Sequence, residues 1–275
     1  MASNTQSIKG PLEMLRAKNL TLDIGSSKIL KDISISIAND ELVAIIGPNG
    51  AGKSTLLSTL SGAIQPTHGF VDLDGLELQK WPTKELAFRR SILPQQSILN
   101  FSFLCFDIVL LGRSPYHHYS TSQEDITAAQ IALEKTQTSH LANRSYETLS
   151  GGERQRIQLA RVLTQINFFD DNYSNKSRFL LLDEPTSDLD LSHQHKILSI
   201  ARESTERGIG VIAILHDLNL AAMYADKIIV LKNGEITESG APIEIFSPKM
   251  ILENFDLNVS IIKHPTRDCP QLIAL

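Results

Sequence analysis

Gly47-Pro48-Asn49-Gly50-Ala51-Gly52-Lys53-Ser54 is the stretch that decides the fold. Its glycines let the backbone close tightly and leave N–H groups uncovered, the geometry that encloses phosphate oxygens. Lys53 then predicts a cation at the β- and γ-phosphates of a nucleotide, and Ser54 a hydroxyl ligand for Mg²⁺. A glycine turn before an ordinary helix is the plain alternative. The flanks argue against it. Leu42 to Ile46 is an all-apolar run, the mark of a strand buried on both faces. Lys53 to about Gly62 reads as a helix, whose N-terminus adds a positive dipole end. Strand, glycine loop and helix in that order predict the phosphate-binding unit of an α/β domain.

Upstream, Leu20, Leu22 and Ile24 alternate with Thr21 and Asp23, and Ile33, Ile35 and Ile37 with Ser34, Ser36 and Ala38. Both runs predict strands, separated from the buried strand by an Asn39-Asp40 turn. Downstream, Ser97 to Ala160 reads as mainly helical, a subdomain inserted into the α/β domain, with a polar helical stretch from Ser122 to Leu141. A further helix opens at Ser150 and runs through Arg161 and Val162. Asn167 to Ser177, rich in Asn, Asp and Ser, predicts a solvated loop. Phe179 to Leu182 and Val211 to Leu215 predict two more buried strands, around a helix from Leu191 to Arg207 that Gly208 stops. Lys227 to Leu231 and Glu235 to Glu238 flank Asn233-Gly234 and predict a hairpin. From Pro242 the tail reads as a helix, irregular structure and a terminal strand.

Two more stretches carry chemistry. Phe179-Leu180-Leu181-Leu182-Asp183-Glu184 ends an apolar strand in two carboxylates, and ligands of α/β sheets gather at strand carboxyl ends. Asp183 suits Mg²⁺, reached through water, and Glu184 suits polarisation of an attacking water. Such a strand end is also simply where a strand meets solvent; its weight comes from the glycine loop upstream. Leu149-Ser150-Gly151-Gly152-Glu153 places a helix cap, Ser150, before two glycines that leave backbone amides open. That arrangement serves as an ordinary cap or as a second anion site.

The bulk numbers bound the function. With 26 Lys and Arg against 31 Asp and Glu, the formal net charge of -5 argues against a broad nucleic-acid-binding face. Cys105 and Cys269 stand far apart, outside disulfide-framework or zinc spacing, which fits a reducing compartment. Met1 to Leu12 lacks the apolar core of a secretion signal. No apolar run reaches the roughly 18 residues that span a bilayer. Ile98 to Leu111 comes nearest, and Asn100, Ser102 and Asp107 interrupt it. Work at a membrane therefore requires another chain to do the spanning.

Leu149 to Glu153 resembles the LSGGE signature of the ABC ATPase family, and with the two phosphate-site stretches the resemblance covers nearly the whole chain. It implies a P-loop NTPase fold with a RecA-like core, an antiparallel β subdomain and the inserted helical subdomain at about 97–160. The ATP-binding domain would span 13–257 and a tail 258–275. It also implies roles. Gly47 to Ser54 and Thr55 bind ATP, with Lys53 catalytic. Gln95, after Ile92-Leu93-Pro94, looks like the Q-loop glutamine on the Mg²⁺ and water side; Gln96 is the adjacent alternative, and the preceding proline favours Gln95. Ser54, Gln95 and Asp183 would hold the metal. Ser187-Asp188-Leu189-Asp190 resembles the D-loop, and His216 the switch histidine at the γ-phosphate, beside catalytic Glu184. The family sandwiches two ATPs head to tail, so Ser150, Gly151, Gly152 and Glu153 would close on the ATP of a second copy.

The chain departs from the family in two places. No Tyr, Phe or Trp lies between Met1 and Gly62, so the adenine platform falls on aliphatic Ile24. The usual glycine before the first phosphate-site strand is Asp40, which tolerates the same turn.

Gly112-Arg113-Ser114-Pro115-Tyr116, Asp190 to Gln194 and Leu215 to Ala221 resemble the iron-chelate and cobalamin importers. The long Gln165 to Arg178 loop and the tail with His264-Pro265 and Pro270-Gln271 resemble the haemin importer ATPases. The apolar Phe101 to Phe106 would serve as the subdomain's core or cup a membrane partner's coupling helix. The implied assembly is a pair of copies beneath two transmembrane permease subunits, peripheral on the cytoplasmic face of the inner membrane. A periplasmic haem-binding protein would serve it, and no nucleic acid takes part. Ferric siderophore or cobalamin is the alternative cargo. A soluble ABC ATPase acting on DNA or the ribosome is a more distant one; those usually carry coiled-coil insertions or paired ATPase domains, which this sequence lacks.

Overall fold

Leu42–Ile46 is buried at every position because it lies in the middle of a parallel sheet with packing on both faces. In the computed structural model, which describes residues 14–95, 102–169 and 176–275, this strand (β3) follows β1 (Met14–Ile24) and β2 (Ser27–Ala38). Then come α1 (Lys53–Leu60), β4 (His68–Leu73), β5 (Leu76–Glu77), α2 (Thr83–Arg89) and β6 (Arg90–Leu93). The inserted helices are α3 (Cys105–Leu111), α4 (Ser122–Lys135) and α5 (Gly151–Gln165). The chain returns through β7 (Arg178–Leu182), α6 (Leu191–Glu206), β8 (Ile209–Ile214), α7 (Leu218–Tyr224), β9 (Lys227–Lys232) and β10 (Glu235–Gly240). It closes with α8 (Pro242–Ile245), α9 (Pro248–Phe255), β11 (Val259–Lys263) and β12 (Pro270–Ala274).

The main sheet runs β10-β9-β3-β8-β7-β6, parallel except for the antiparallel edge strand β10. A second, antiparallel sheet runs β2-β1-β4-β5. Side-chain alternation divides the main sheet between two cores. Leu42, Ala44 and Ile46 face a cluster with Leu163, Ile197 and Leu220 from the helices. Val43 and Ile45 face the antiparallel sheet and α1, through Leu15, Ile33 and Leu56. A third, smaller core of Cys105, Ile108, Ala132, Leu133 and Ile157 holds the inserted helices together. The α/β class, the antiparallel sheet and the helical insertion agree with the expectation from sequence.

Asn233 (φ 52) and Gly234 (φ 79) both take left-handed geometry, which turns β9 into β10 as a tight hairpin. This turn reaches the site: Gly234 N–H donates to the Ala51 carbonyl at 3.0 Å, and Lys31 N–H donates to the Gly234 carbonyl at 2.8 Å.

Three expectations need correction. Among the described residues the inserted helices begin at Cys105, residues 96–101 lying outside them, and α5 runs on to Gln165, so that Leu159, Val162 and Leu163 belong to the main core. The tail is ordered into two helices and a β11–β12 hairpin, with Val259 and Leu272 buried in that core. The expected terminal strand is β12; prolines and polar residues between Leu257 and Pro270 hid its partner β11, and the two pack against α7 and α9. Finally, Asn167 to Ser177 is not a wholly solvated loop. Residues 170–175 lie outside the described structure, but Phe168 and Ser177 are buried. Ser177 Oγ donates to Asp74 at 2.7 Å, and its carbonyl accepts from the Arg89 guanidinium. Phe168→Ala should therefore destabilise the fold by about 3–5 kcal/mol, read as a lower urea midpoint at unchanged slope. A deletion of 167–177 that removes this ring should be worse, contrary to what the composition of the segment suggests.

Candidate functional site

The site forms where β3, β6, β7 and β8 end side by side. Their carboxyl ends deliver Gly47, Gln95, Asp183 and His216 to one edge of the sheet, the place where open α/β sheets bind ligands.

The glycine loop is fixed by its surroundings. At Gly47, with φ 151, a Cβ would stand 2.0 Å from the Leu231 carbonyl oxygen of β9, so no other residue fits without moving backbone. Pro48, Asn49, Gly50, Ala51 and Gly52 complete the loop, and Gly52 caps α1, where Lys53, Ser54 and Thr55 follow. Lys53 is 6% exposed, and its Nζ donates to the Gly47 and Pro48 carbonyls at 2.9 and 3.0 Å. Burial pulls its pKa below the ordinary lysine range, while Glu184 and Asp183 work to keep it charged.

Ser54 Oγ donates to Asp183 Oδ1 at 3.1 Å, joining the first turn of α1 to the end of β7. Burial raises the Asp183 pKa; the Ser54 hydrogen bond opposes this and the neighbouring Glu184 carboxylate reinforces it. Asp183 N–H donates to the Leu93 carbonyl at 2.9 Å, which brings the end of β6 and therefore Gln95 alongside.

Glu184 is the hub. Its Oε2 accepts from Gln95 Nε2 at 2.7 Å, and its Oε1 lies 2.7 Å from His216 Nε2. Its backbone is left-handed, φ 50, a conformation that costs about 1–3 kcal/mol away from glycine. Three donors hold it there through its carbonyl: Gln155 Nε2 at 2.9 Å, Ser187 Oγ at 2.9 Å and Ser187 N–H at 3.2 Å. The carboxylate is thus held between an amide and an imidazole, near enough to Lys53 to favour its charged form.

A second cluster forms apart from this one. Ser150 caps α5, and Glu153 completes a reciprocal box: Glu153 N–H donates to Ser150 Oγ at 3.3 Å, and Ser150 N–H donates to Glu153 Oε2 at 2.8 Å. The Ser150 N–H, and then the Ser150 hydroxyl donating to the same oxygen at 2.9 Å, hold the Glu153 carboxyl below its usual pKa. Gly151 and Gly152 lie against the 187–190 segment of the same chain. A Cβ at Gly152 would come 2.8 Å from Leu189 Cδ2 and 3.2 Å from the Asp188 carbonyl oxygen. Asp190 caps α6 and accepts from His193 N–H at 2.9 Å, which lowers its pKa to about 2. An open cleft is lined by Ser150, Gly151, Gly152, Asp188 and His193.

The structure therefore gathers Lys53, Ser54, Gln95, Asp183, Glu184 and His216, and keeps Ser150 to Glu153 with Ser187 to Asp190 in a neighbouring group. Gln96 and Phe101 lie outside the described residues. Ile24, at the end of β1, is 57% exposed, as an aliphatic platform requires, while Ile29 and Leu30 of β2 press on Gly52. Of the apolar patch, Phe103 and Leu104 are exposed, while Cys105 is core. Sequence reasoning missed Gln155, the brace from Ser187 to Glu184, and the contact of the expected Asn233-Gly234 turn with the glycine loop. A signal for Gln155 existed: Gly151, Gln155 and Gln158 recur at helical spacing and share one face of α5.

The comparisons with known proteins agree with this geometry. A family model described as ABC transporter matches residues 30–187. A hemin import ATP-binding protein, HmuV, of Gloeobacter violaceus is 44% identical over 262 residues, 95% of this chain and 94% of its own. The protein of the same name from Pseudomonas aeruginosa is 42% identical over 261 residues, 95% of this chain and all of its own length. Among solved structures, an inward-facing metal-chelate type ABC transporter aligns with a TM-score of 0.76 at 25% identity, over 95% of this chain and 96% of that one. The dimeric ATP-binding cassette MJ0796, bound to ADP and Pi after hydrolysis, aligns with a TM-score of 0.71 at 27% identity, over 82% and 98%. With the family match spanning more than half its residues and full-length relatives above 40% identity, the chain belongs to the ABC transporter family, as one of its ATP-binding subunits.

Proposed function

We propose that this chain hydrolyses ATP to drive haemin import, working as a pair of copies beneath two membrane-spanning permease subunits, with a periplasmic haem-binding protein supplying cargo. The observation that carries the hydrolytic part is the convergence of Gln95 and His216, each at 2.7 Å, on the two oxygens of Glu184. That arrangement orients a carboxylate toward the water that attacks the γ-phosphate, with His216 beside it to meet the phosphate itself.

The remaining residues take the following roles. Amides of Gly47 to Gly52 and the N-terminus of α1 grip the phosphates. Lys53 turns from its loop carbonyls to the β- and γ-phosphates. Ile24 supports adenine. Ser54 Oγ and Asp183 Oδ1, 3.1 Å apart, offer only oxygens, the donor set that suits a hard cation bound largely by substrate phosphates and water. They fit Mg²⁺, with the Gln95 amide oxygen completing the protein's share. When bound, Mg²⁺ neutralises charge on the phosphate oxygens during transfer. Ser150, Gly151 and Gly152 close on the ATP carried by the partner copy, with Ser187 to Asp190 at the seam between the copies.

No helix among the described residues is long and apolar enough to cross a membrane; in this reading the permeases do the spanning and this subunit lies peripherally on their cytoplasmic side. Exposed Phe103 and Leu104, which follow Gln95 closely in sequence, suit contact with a permease. Haemin as cargo rests on what the full-length relatives are named for.

Lys53→Ala should weaken ATP binding by about 10–100-fold, since charge-assisted hydrogen bonds of about 1.5–3 kcal/mol are lost; equilibrium nucleotide binding checks this, and unchanged affinity removes Lys53 from the phosphate grip. The cargo is tested by reconstituting the chain with its permeases in liposomes and measuring ATPase stimulation. Haemin, delivered by its binding protein, should stimulate turnover. Stimulation by ferric siderophore or cobalamin in its place overturns the cargo and leaves the hydrolytic reading standing.

A further inference from the structure

Helix α5 has two ends of business. Its N-terminus, Ser150 to Gly152, faces the open cleft proposed to receive a partner's ATP. One turn further along, Gln155 reaches the other way, and its Nε2 donates to the Glu184 carbonyl at 2.9 Å and approaches Ser187 Oγ at 3.5 Å. Ser187 Oγ in turn donates to that same carbonyl at 2.9 Å. Among the described residues, Gln155 is the only contributor to this knot that comes from outside the β7-to-α6 connection. It is half-buried, lining a recess of about 300 Å³ with Gln95, Gly151 and Ser187.

The backbone it holds matters because Glu184 stands at φ 50, a position that persists only when neighbours over-determine it. Remove one donor and the peptide gains freedom to leave that conformation, carrying the carboxylate away from Gln95 and His216. Gly152 packs on Leu189 and Asp188, so α5 and the 187–190 segment form one contact surface. The helix end that would clamp one ATP is thus tied to the carboxylate that would polarise the water attacking the other.

We propose that Gln155 is a positioning residue for Glu184, and that through it a chain's grip on its partner's ATP sets the efficiency of its own catalytic carboxylate. This rests on the roles given above to Glu184 and to the paired assembly. Gln155 touches no substrate; it acts by fixing a backbone.

The test uses the full chain with Mg-ATP. Gln155→Met keeps length and volume and removes the donor; Gln155→Lys keeps a donor of similar reach. The expected result for Gln155→Met is a kcat lower by about tenfold or more, with KM for ATP within about twofold, because the phosphate grip is untouched. Gln155→Lys should restore most of that kcat. Added to Glu184→Gln, Gln155→Met should cost nothing further, since both act through one group. A Gln155→Met chain turning over at the parent rate overturns the proposal. So does a loss that multiplies undiminished on top of Glu184→Gln. If Gln155→Met fails to fold, Gln155→Lys decides alone: parental kcat supports the tie, and a tenfold loss in a folded chain overturns it. Should Glu184→Gln itself hydrolyse ATP normally, the role of Glu184 fails; should it stall while Gln155→Met does not, only the positioning role fails.

Discussion

Glu184→Gln binds ATP as the parent does and hydrolyses it about 10²–10⁴-fold more slowly, the range contributed by a positioned general base. The amide keeps the size of the side chain and an oxygen for Gln95 to donate to, so the geometry at the end of β7 survives. It loses the negative charge that polarises water. Affinity is preserved because Lys53, Ser54 and the loop amides make the phosphate grip, and none depends on Glu184 for its position. With hydrolysis stalled, pairs of chains should accumulate around trapped ATP. Single-turnover hydrolysis with size-exclusion chromatography measures both effects. Near-parental turnover, or a chain that stays single with ATP while the parent pairs, contradicts the assignment.

Gly152→Asp gives the second large effect. Its side chain enters a space where a Cβ alone would lie 2.8 Å from Leu189 and 3.2 Å from the Asp188 carbonyl oxygen. It also sets a negative charge at the helix end proposed to receive a triphosphate, and like charges so juxtaposed cost several kcal/mol. Turnover should fall by about 10²–10³-fold on that scale. ATP binding to the isolated chain should stay within about twofold, because the chain's own glycine loop is elsewhere. A mixture of Lys53→Ala and Gly152→Asp chains should then regain hydrolysis, since the mixed pair contains one site built from two intact halves. If the mixture stays as inactive as its parts, the shared site is wrong.

The sequence made the catalytic edge legible because its parts are local. A buried strand, a glycine loop and a helix follow one another within Leu42 to Leu60, and Asp183-Glu184 closes an apolar strand with no long-range information needed. Alternation made the antiparallel strands readable for the same reason. What stayed hidden depends on contacts between segments far apart in the chain. Phe168 sits in a polar stretch and is core only because α5 and the strands surround it. The β11–β12 hairpin depends on α7 and α9 for a surface to lie on. Gln155 reads as one more polar residue on a polar helix until the Glu184 carbonyl, 29 positions away, is found beneath it. The left-handed backbone of Glu184 leaves no compositional trace, because glutamate is not a residue chosen for that geometry.

The most direct measurement is a structure of Glu184→Gln with Mg-ATP. It should contain two chains related by a two-fold axis, with Ser150 Oγ and the Gly152 N–H of one within hydrogen-bond distance of a γ-phosphate held by Lys53 of the other. A nucleotide enclosed by a single chain, with Ser150 turned to solvent, would contradict the shared site.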